Sequence, residues 1–125
     1  TLANYCYYTM FMNCTSLETA PALQVTTLAP FCYSYMFKNC TSLTAAPVLP
    51  ATTLVNNCYS EMFYGCTSLN SITMLATDIS ASECLGNWVR DVAATGTFYK
   101  NSAATWDNDD VVPSGWTVQN YSVTP

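Results

Sequence analysis

Three blocks of the chain repeat one pattern: residues 6–23 are CYYTMFMNCTSLETAPAL, residues 32–49 are CYSYMFKNCTSLTAAPVL and residues 58–75 are CYSEMFYGCTSLNSITML. The blocks align without gaps at one constant interval, and Cys84 continues the same spacing. A fixed period of this kind is typical of stacked repeats, in which one unit cannot bury its apolar face alone. The sequence therefore predicts a repeat domain over residues 1–94.

The first half of each block has the periodicity of an amphipathic helix. At about 100° per residue, Cys6, Met10 and Cys14 fall on one apolar side of a helical wheel, and the same residue types recur there in the other blocks. Asn13 and its counterparts are asparagine or glycine, which accept the left-handed conformation that often ends a helix. We therefore expect one short helix in each repeat.

The second half of each block is typical of a short strand. In the third block Ile72 and Met74 are apolar and Thr73 between them is polar, as in a half-buried strand. In the second block the same alignment points Val48 inward and Pro47 outward. Helix and strand together predict an α/β solenoid, with stacked helices and short parallel strands in the manner of leucine-rich repeats.

The end of the chain departs from the pattern. The repeat domain closes with a degenerate helix, in which Trp88 occupies the place of the repeated methionine. Residues 95–125 are expected to form a C-terminal cap resembling a β hairpin, with strands over residues 96–100 and 116–121. Phe98, Trp116 and Val118 alternate with polar neighbours, so we expect them to cover the last repeat.

Composition excludes several classes of function. Only 9% of the 125 residues are charged, the net charge is −5 and there is no histidine, so histidine-dependent catalytic triads and histidine-containing zinc sites are ruled out. Nucleic-acid binding needs a basic surface that this chain lacks, and no apolar run is long enough to span a membrane. Because no acid and base groups converge in the pattern, we expect that the protein is not an enzyme and has no catalytic residues. We also expect a monomer that holds no metal or cofactor.

Two groups of residues leave alternatives open. The seven cysteines lack the close spacing of zinc ligands, and an odd number cannot all pair within one chain. Buried free thiols are favoured over disulfides or redox chemistry. The acidic run Asp107–Asp110 is rich in oxygen ligands and is compatible with calcium, but such residues also form ordinary turns, which we favour.

The repeated pattern resembles a known family. C-Y-x-x-M-F-x-[NG]-C-T-S-L, followed by A-P-x-L and T-T-L, is similar to the BspA-like leucine-rich repeats of bacterial surface proteins. The endings TGTFYK at residues 95–100 and PSGWTV at residues 113–118 resemble the C-terminal ends of such arrays. The resemblance implies an extracellular or cell-surface location and, as in some members, adhesion to a host matrix protein.

Two functions follow as hypotheses. The first is a non-catalytic module for protein-protein interaction or adhesion, and the second is a structural spacer that presents another domain of a larger surface protein. A binding module needs exposed positions whose chemistry changes from repeat to repeat. We expect its ligand-binding residues to be Tyr35, Glu61, Tyr64, Ser71 and Thr73.

Overall fold

Successive repeats lie against one another in register. In the computed structural model, which describes residues 3–109 and 111–122, Thr19 pairs with Ala45 and Ala45 pairs with Ser71 through parallel bridges. The Ser34 hydroxyl likewise donates to the Ser60 carbonyl, at a separation of 26 in the sequence. Each repeat is therefore one coil of a stack, and residues at equivalent positions of neighbouring coils are direct neighbours in space.

One side of the stack is a parallel sheet. Its strands are β1 (Ser71–Met74), β2 (Thr97–Asn101) and β3 (Thr117–Tyr121), in the order β1-β2-β3. Thr97 pairs with Ser71 on one side and with Thr117 on the other. The spacing of the repeats thus extends into β2, whereas β3 follows after a shorter interval.

The other side of the stack is built from consecutive turns. The described residues contain no helix, so the predicted solenoid of helices and strands is wrong. The Ser34 N–H donates to the Phe31 carbonyl three residues earlier, whereas the Tyr33 N–H donates to the Cys58 carbonyl in the next coil. Backbone N–H groups therefore alternate between a bond within the coil and a bond to the next coil. We call residues 5–13, 31–39, 57–65 and 83–91 the first to fourth turn segments.

Left-handed backbone conformation explains why no helix forms. In the second turn segment φ is 61° at Phe31, 60° at Tyr35 and 62° at Asn39, and the same four-residue spacing recurs in the other turn segments. A right-handed helix cannot continue through such residues. The left-handed conformation predicted at Asn13, Asn39 and Gly65 is confirmed, although these residues end a run of turns and not a helix.

The core runs along the stack between the turn segments and the sheet. Phe37 and Phe63 are fully buried, and their rings stack with centroids 5.6 Å apart. Tyr33 and Tyr59 stack in the same way at 6.1 Å. Each repeated aromatic residue is thus covered by its counterparts in the neighbouring coils, and this contact exists only between repeats.

A bulge corrects the predicted strand of the second block. Leu49 pairs with Met74, so three residues of the second coil lie opposite two of the third between this bridge and the Ala45–Ser71 bridge. Pro47, which has no N–H to donate to a ladder, lies in this extra length. The bulge reverses the expected facing of the side chains, because Pro47 is buried and Val48 is 46% exposed.

The C-terminal strands do not form the predicted hairpin, because β2 and β3 run parallel. Phe98 and Trp116 are buried as expected, but Val118 is 37% exposed, since the whole of β3 faces solvent. The Trp88 indole donates to the Val111 carbonyl at 3.1 Å, which holds the segment before β3 against the fourth turn segment. Gly96 leaves room for Trp116, since a Cβ there would lie 2.7 Å from the indole.

Candidate functional site

Three of the predicted binding residues surround Lys38 on the outer side of the turn segments. The Lys38 Nζ lies 3.0 Å from Glu61 Oε1 and forms an ion pair with it. The same nitrogen lies 5.1 Å from the centroid of the Tyr35 ring and 4.9 Å from that of Tyr64. We call Tyr35, Lys38, Glu61 and Tyr64 the Lys38 cluster.

The period of the stack brings these side chains together. Tyr35 and Glu61 are one repeat apart, and so are Lys38 and Tyr64, so each pair occupies one position in two successive coils. Neighbouring chains in a sheet or ladder are about 4.8 Å apart, which is a distance that side chains easily bridge. Neither pair is close in sequence, and only the stacking of the coils makes the cluster.

Further aromatic and cationic side chains extend the Lys38 cluster in both directions. The Tyr8 ring lies 5.3 Å from that of Tyr35, and the Tyr5 ring lies 5.2 Å from that of Tyr8. On the other side the Arg90 guanidinium lies 5.9 Å from the Tyr64 ring. The outer side of the turn segments therefore carries a continuous strip of rings and cations from the first coil to the fourth.

The surroundings of the Lys38 cluster raise the pKa values of two of its members, Lys38 and Tyr35. The hydrogen bond to Glu61 raises the pKa of Lys38, so its ammonium group stays charged. Partial burial, and then the hydrogen bond and charge of Glu61, raise the pKa of the Tyr35 phenol, which stays neutral. The cluster therefore offers a fixed cation between two aromatic rings, an arrangement suited to contact with a partner.

Exposure differs from the sequence-based expectation. Tyr35, Glu61 and Tyr64 are half-buried, because the rings lie over Lys38 and over neighbouring coils. Ser71 and Thr73 are also half-buried and lie on β1, in a different part of the coil. The structure thus divides the predicted site into the Lys38 cluster and a separate pair on the sheet.

Sequence reasoning missed Lys38 and Arg90, the two cations of the strip. The helical wheel grouped residues within one repeat and gave no weight to contacts between repeats. Writing the blocks beneath one another places Lys38 directly above Tyr64 and Arg90 directly below it. That vertical alignment is the signal that could have found both residues.

The acidic run does not form a cation site in the part of the chain that the structure describes. Asp110 lies outside the described residues. The Asp109 N–H donates to Asp107 Oδ1 at 3.0 Å, and Asn108 Oδ1 accepts a hydrogen bond from Lys100 at 2.9 Å. These contacts support the turn interpretation. Across residues 3–109 and 111–122, no three His, Cys, Asp or Glu side chains are placed to hold a metal ion.

All seven cysteines are free thiols. Five are buried, but Cys6 and Cys14 are exposed, so the expectation of burial is wrong for these two. Burial raises the pKa of Cys58 and of Cys66 to about 12. The Cys66 thiol also donates to the Phe37 carbonyl of the preceding coil at 3.0 Å. The buried thiols therefore act as small packing groups and remain protonated at neutral pH.

Comparisons with known proteins identify no relative. No protein-family model, curated protein or solved structure matches the chain. A search for membrane-spanning helices in residues 3–109 and 111–122 finds none.

Proposed function

We propose that this chain is a non-catalytic repeat module that binds a protein partner through the Lys38 cluster and the aromatic strip around it. The observation that carries the proposal is the position of Lys38, held by Glu61 between the rings of Tyr35 and Tyr64. Tyrosine and arginine are enriched at protein interfaces. Because stacking and ion pairing already restrict these side chains, binding costs them little conformational entropy.

The charges favour a protein over a nucleic acid. The chain has a net charge of −5 and only three cationic side chains. Lys38 is paired with Glu61, and Lys100 donates to the Trp106 carbonyl and to Asn108. Nucleic-acid binding requires several cations free to contact phosphates. A partner that offers polar groups and carbonyl oxygens around an aromatic surface suits the strip better.

Resemblance to the BspA-like repeats supports a cell-surface location, with an extracellular matrix protein of a host as the proposed partner. The repeated C-Y-x-x-M-F motif, which carries that resemblance, supplies the buried positions of the second and third turn segments. The residues that differ between repeats supply the strip. A constant interior with a variable outer side is the arrangement expected of a repeat protein that has adapted to a partner.

The experiment is a binding measurement by surface plasmon resonance on a panel of immobilised extracellular matrix proteins. For a partner that the wild-type chain binds, Tyr64→Ala should weaken affinity about tenfold or more, as a central interface residue does. Tyr121→Ala is the matched control, because Tyr121 is 40% exposed on β3, away from the strip, and should leave affinity unchanged.

Salt provides a second measurement. Few charges are present, so affinity should change less than tenfold between low and physiological ionic strength. Equal losses for Tyr64→Ala and Tyr121→Ala would contradict the proposed site. Failure of the wild-type chain to bind any protein on the panel would favour the spacer function.

A further inference from the structure

The backbone of the fourth turn segment carries a row of hydrogen-bond donors that the rest of the described chain does not use. In each of the first three turn segments, five alternate N–H groups donate to carbonyls of the next coil. The equivalent N–H groups of the fourth turn segment have no acceptor among residues 3–109 and 111–122. They belong to Glu83, Leu85, Asn87, Val89 and Asp91. Donors at this regular spacing match the carbonyls of a polypeptide better than they match a compact ligand.

A groove runs along this row of donors. The segment around Val111 covers Trp88, whose indole donates to the Val111 carbonyl, but it leaves Asn87 exposed. Between that segment and the fourth turn segment lies a groove of about 620 Å³. Its lining residues all fall between Ile79 and Val112, so neither end of the sequence forms it. The row of donors thus has a space beside it.

The charges of the groove favour a cationic occupant. Glu83 and Asp109 line it, and Arg90 is its one cationic lining residue within the described part of the chain. The Glu83 carboxylate lies beside Gly86, in the middle of the row, since its Oε2 would be 2.6 Å from a Cβ at that position. Asp91 is exposed at the end of the row. These carboxylates attract lysine or arginine side chains and repel a phosphate or a free carboxylate.

We propose that this groove binds a cationic peptide segment of a partner protein. Alternate backbone carbonyls of the segment accept hydrogen bonds from the row of donors, and its lysine or arginine side chains pair with Glu83 and Asp109. In recognition of this kind, main-chain hydrogen bonds supply affinity and side-chain contacts supply specificity. No residue of the Lys38 cluster lines the groove, so the proposal does not depend on the function proposed for that cluster.

Apolar contacts complete the site. Leu85, Val89 and Val112 line the groove beside the charged residues and are half-buried. A bound peptide therefore removes further apolar surface from water. Stacking on the core is not required, because Trp88 is already only 1% exposed beneath the segment around Val111. The occupant is a single peptide segment and not a further coil.

The test is a titration of the whole ¹⁵N-labelled chain with two synthetic peptides as long as the fourth turn segment, followed by nuclear magnetic resonance. One peptide has three lysines among alanine and valine, and its control has glutamate at the same positions. At saturation the lysine peptide should shift the amide signals of Leu85, Asn87 and Val89 and slow their hydrogen exchange about tenfold. The amides of Tyr59 and Phe63, which already donate to the fourth coil, should keep their exchange rates.

A charge variant tests the kind of peptide. Glu83→Gln keeps the size of the side chain and removes its charge from the groove, so affinity for the lysine peptide should fall about threefold or more. Glu18→Gln is the matched control, because Glu18 is exposed in the first coil and should leave affinity unchanged. Circular dichroism of both variants, compared with the wild-type chain, confirms that they are folded.

Three results would overturn the proposal. The first is an absence of amide shifts along the donor row at millimolar lysine peptide. The second is a glutamate peptide that binds as tightly as the lysine peptide. The third is an equal loss of affinity in Glu83→Gln and Glu18→Gln, which would indicate attraction to the net charge of the chain and not to the groove.

Discussion

The first and third coils have nearly the same sequence pattern and opposite environments. Met10 in the first coil is 57% exposed, whereas Met62 at the equivalent position of the third coil is 0% exposed. Likewise, Cys14 in the first coil is exposed, whereas Cys66 at the equivalent position of the third coil is buried. The comparison shows that a repeat does not bury its own apolar residues. Burial comes from the coils on either side, so the same residue type makes very different contributions to stability along the stack.

The largest difference between the two coils should appear on truncation of the repeated methionine. Met62→Ala should lower the free energy of unfolding by about 4 kcal/mol, because it leaves a cavity in a closely packed interior. Met10→Ala should lower it by less than about 0.5 kcal/mol, because the side chain is largely in solvent. Urea denaturation of both variants measures the difference, and equal effects would show that the first coil is covered in solution.

Alkaline pH should lower the stability of the folded chain, because thiols of the second and third coils are buried. Burial raises the pKa of Cys32 to about 11 and those of Cys58 and Cys66 to about 12, from an ordinary value of 9.0. Between pH 9 and pH 10 these thiols release protons in the unfolded chain and keep them in the folded chain, so stability falls as pH rises. The three thiols together should lower the free energy of unfolding by about 3 kcal/mol over this interval.

This pH dependence is best measured in a variant with Cys6→Ser and Cys14→Ser, so that the exposed thiols cannot exchange or oxidise. Adding Cys66→Ala should reduce the slope of stability against pH by up to about 1.4 kcal/mol per pH unit, whatever its effect at neutral pH. A stability that stays constant from pH 8 to pH 10 would contradict burial of the thiols.

The smallest predicted changes in stability come from two glycine substitutions, which distinguish the observed turn segments from the helices predicted by the sequence. Thr9 has a φ of 58°, and Met12 has no left-handed backbone. Thr9→Gly should raise the free energy of unfolding by about 0.5 kcal/mol by relieving strain, and Met12→Gly should lower it by about 1 kcal/mol through lost backbone entropy. In a helix both changes would be destabilising. Chemical denaturation gives the two signs, and far-ultraviolet circular dichroism should lack the double minimum of an α-helix.

Repetition predicted part of this structure reliably. The constant period correctly placed equivalent residues in register, and the repeated Tyr33, Phe37 and Cys40 are buried in the second coil. Their backbone conformation could not be predicted in the same way. Cys32, Met36 and Cys40 are spaced by four residues, which is close to the 3.6 of a helix, so burial alone does not distinguish helix from turns. The φ angles that distinguish turns from a helix are those of residues such as Tyr35. Tyrosine is not a residue type that favours the left-handed conformation, so the sequence gives no sign of it.

The candidate site, too, was predicted only in part. Tyr35, Glu61 and Tyr64 were predicted because their type changes between repeats, and the structure gathers all three around Lys38. Lys38 was missed because it contacts Glu61 and Tyr64 across the boundary between two neighbouring coils. Ser71 was assigned to the same site, but lies on β1, since a pattern of exposed positions does not tell which side of a coil a residue occupies.

The alternating ladder also has an electrical consequence. Fifteen N–H groups of the first three turn segments donate in one direction along the stack, towards the fourth. Aligned peptide dipoles add, as they do in a helix, so the first coil is the negative pole and the fourth coil the positive pole. Acidic residues are stable beside a positive pole, and Glu83, Asp91 and Asp109 lie around the fourth turn segment. These three carboxylates thus complement a field that the backbone itself creates, whereas the Arg90 guanidinium in the same turn segment opposes it.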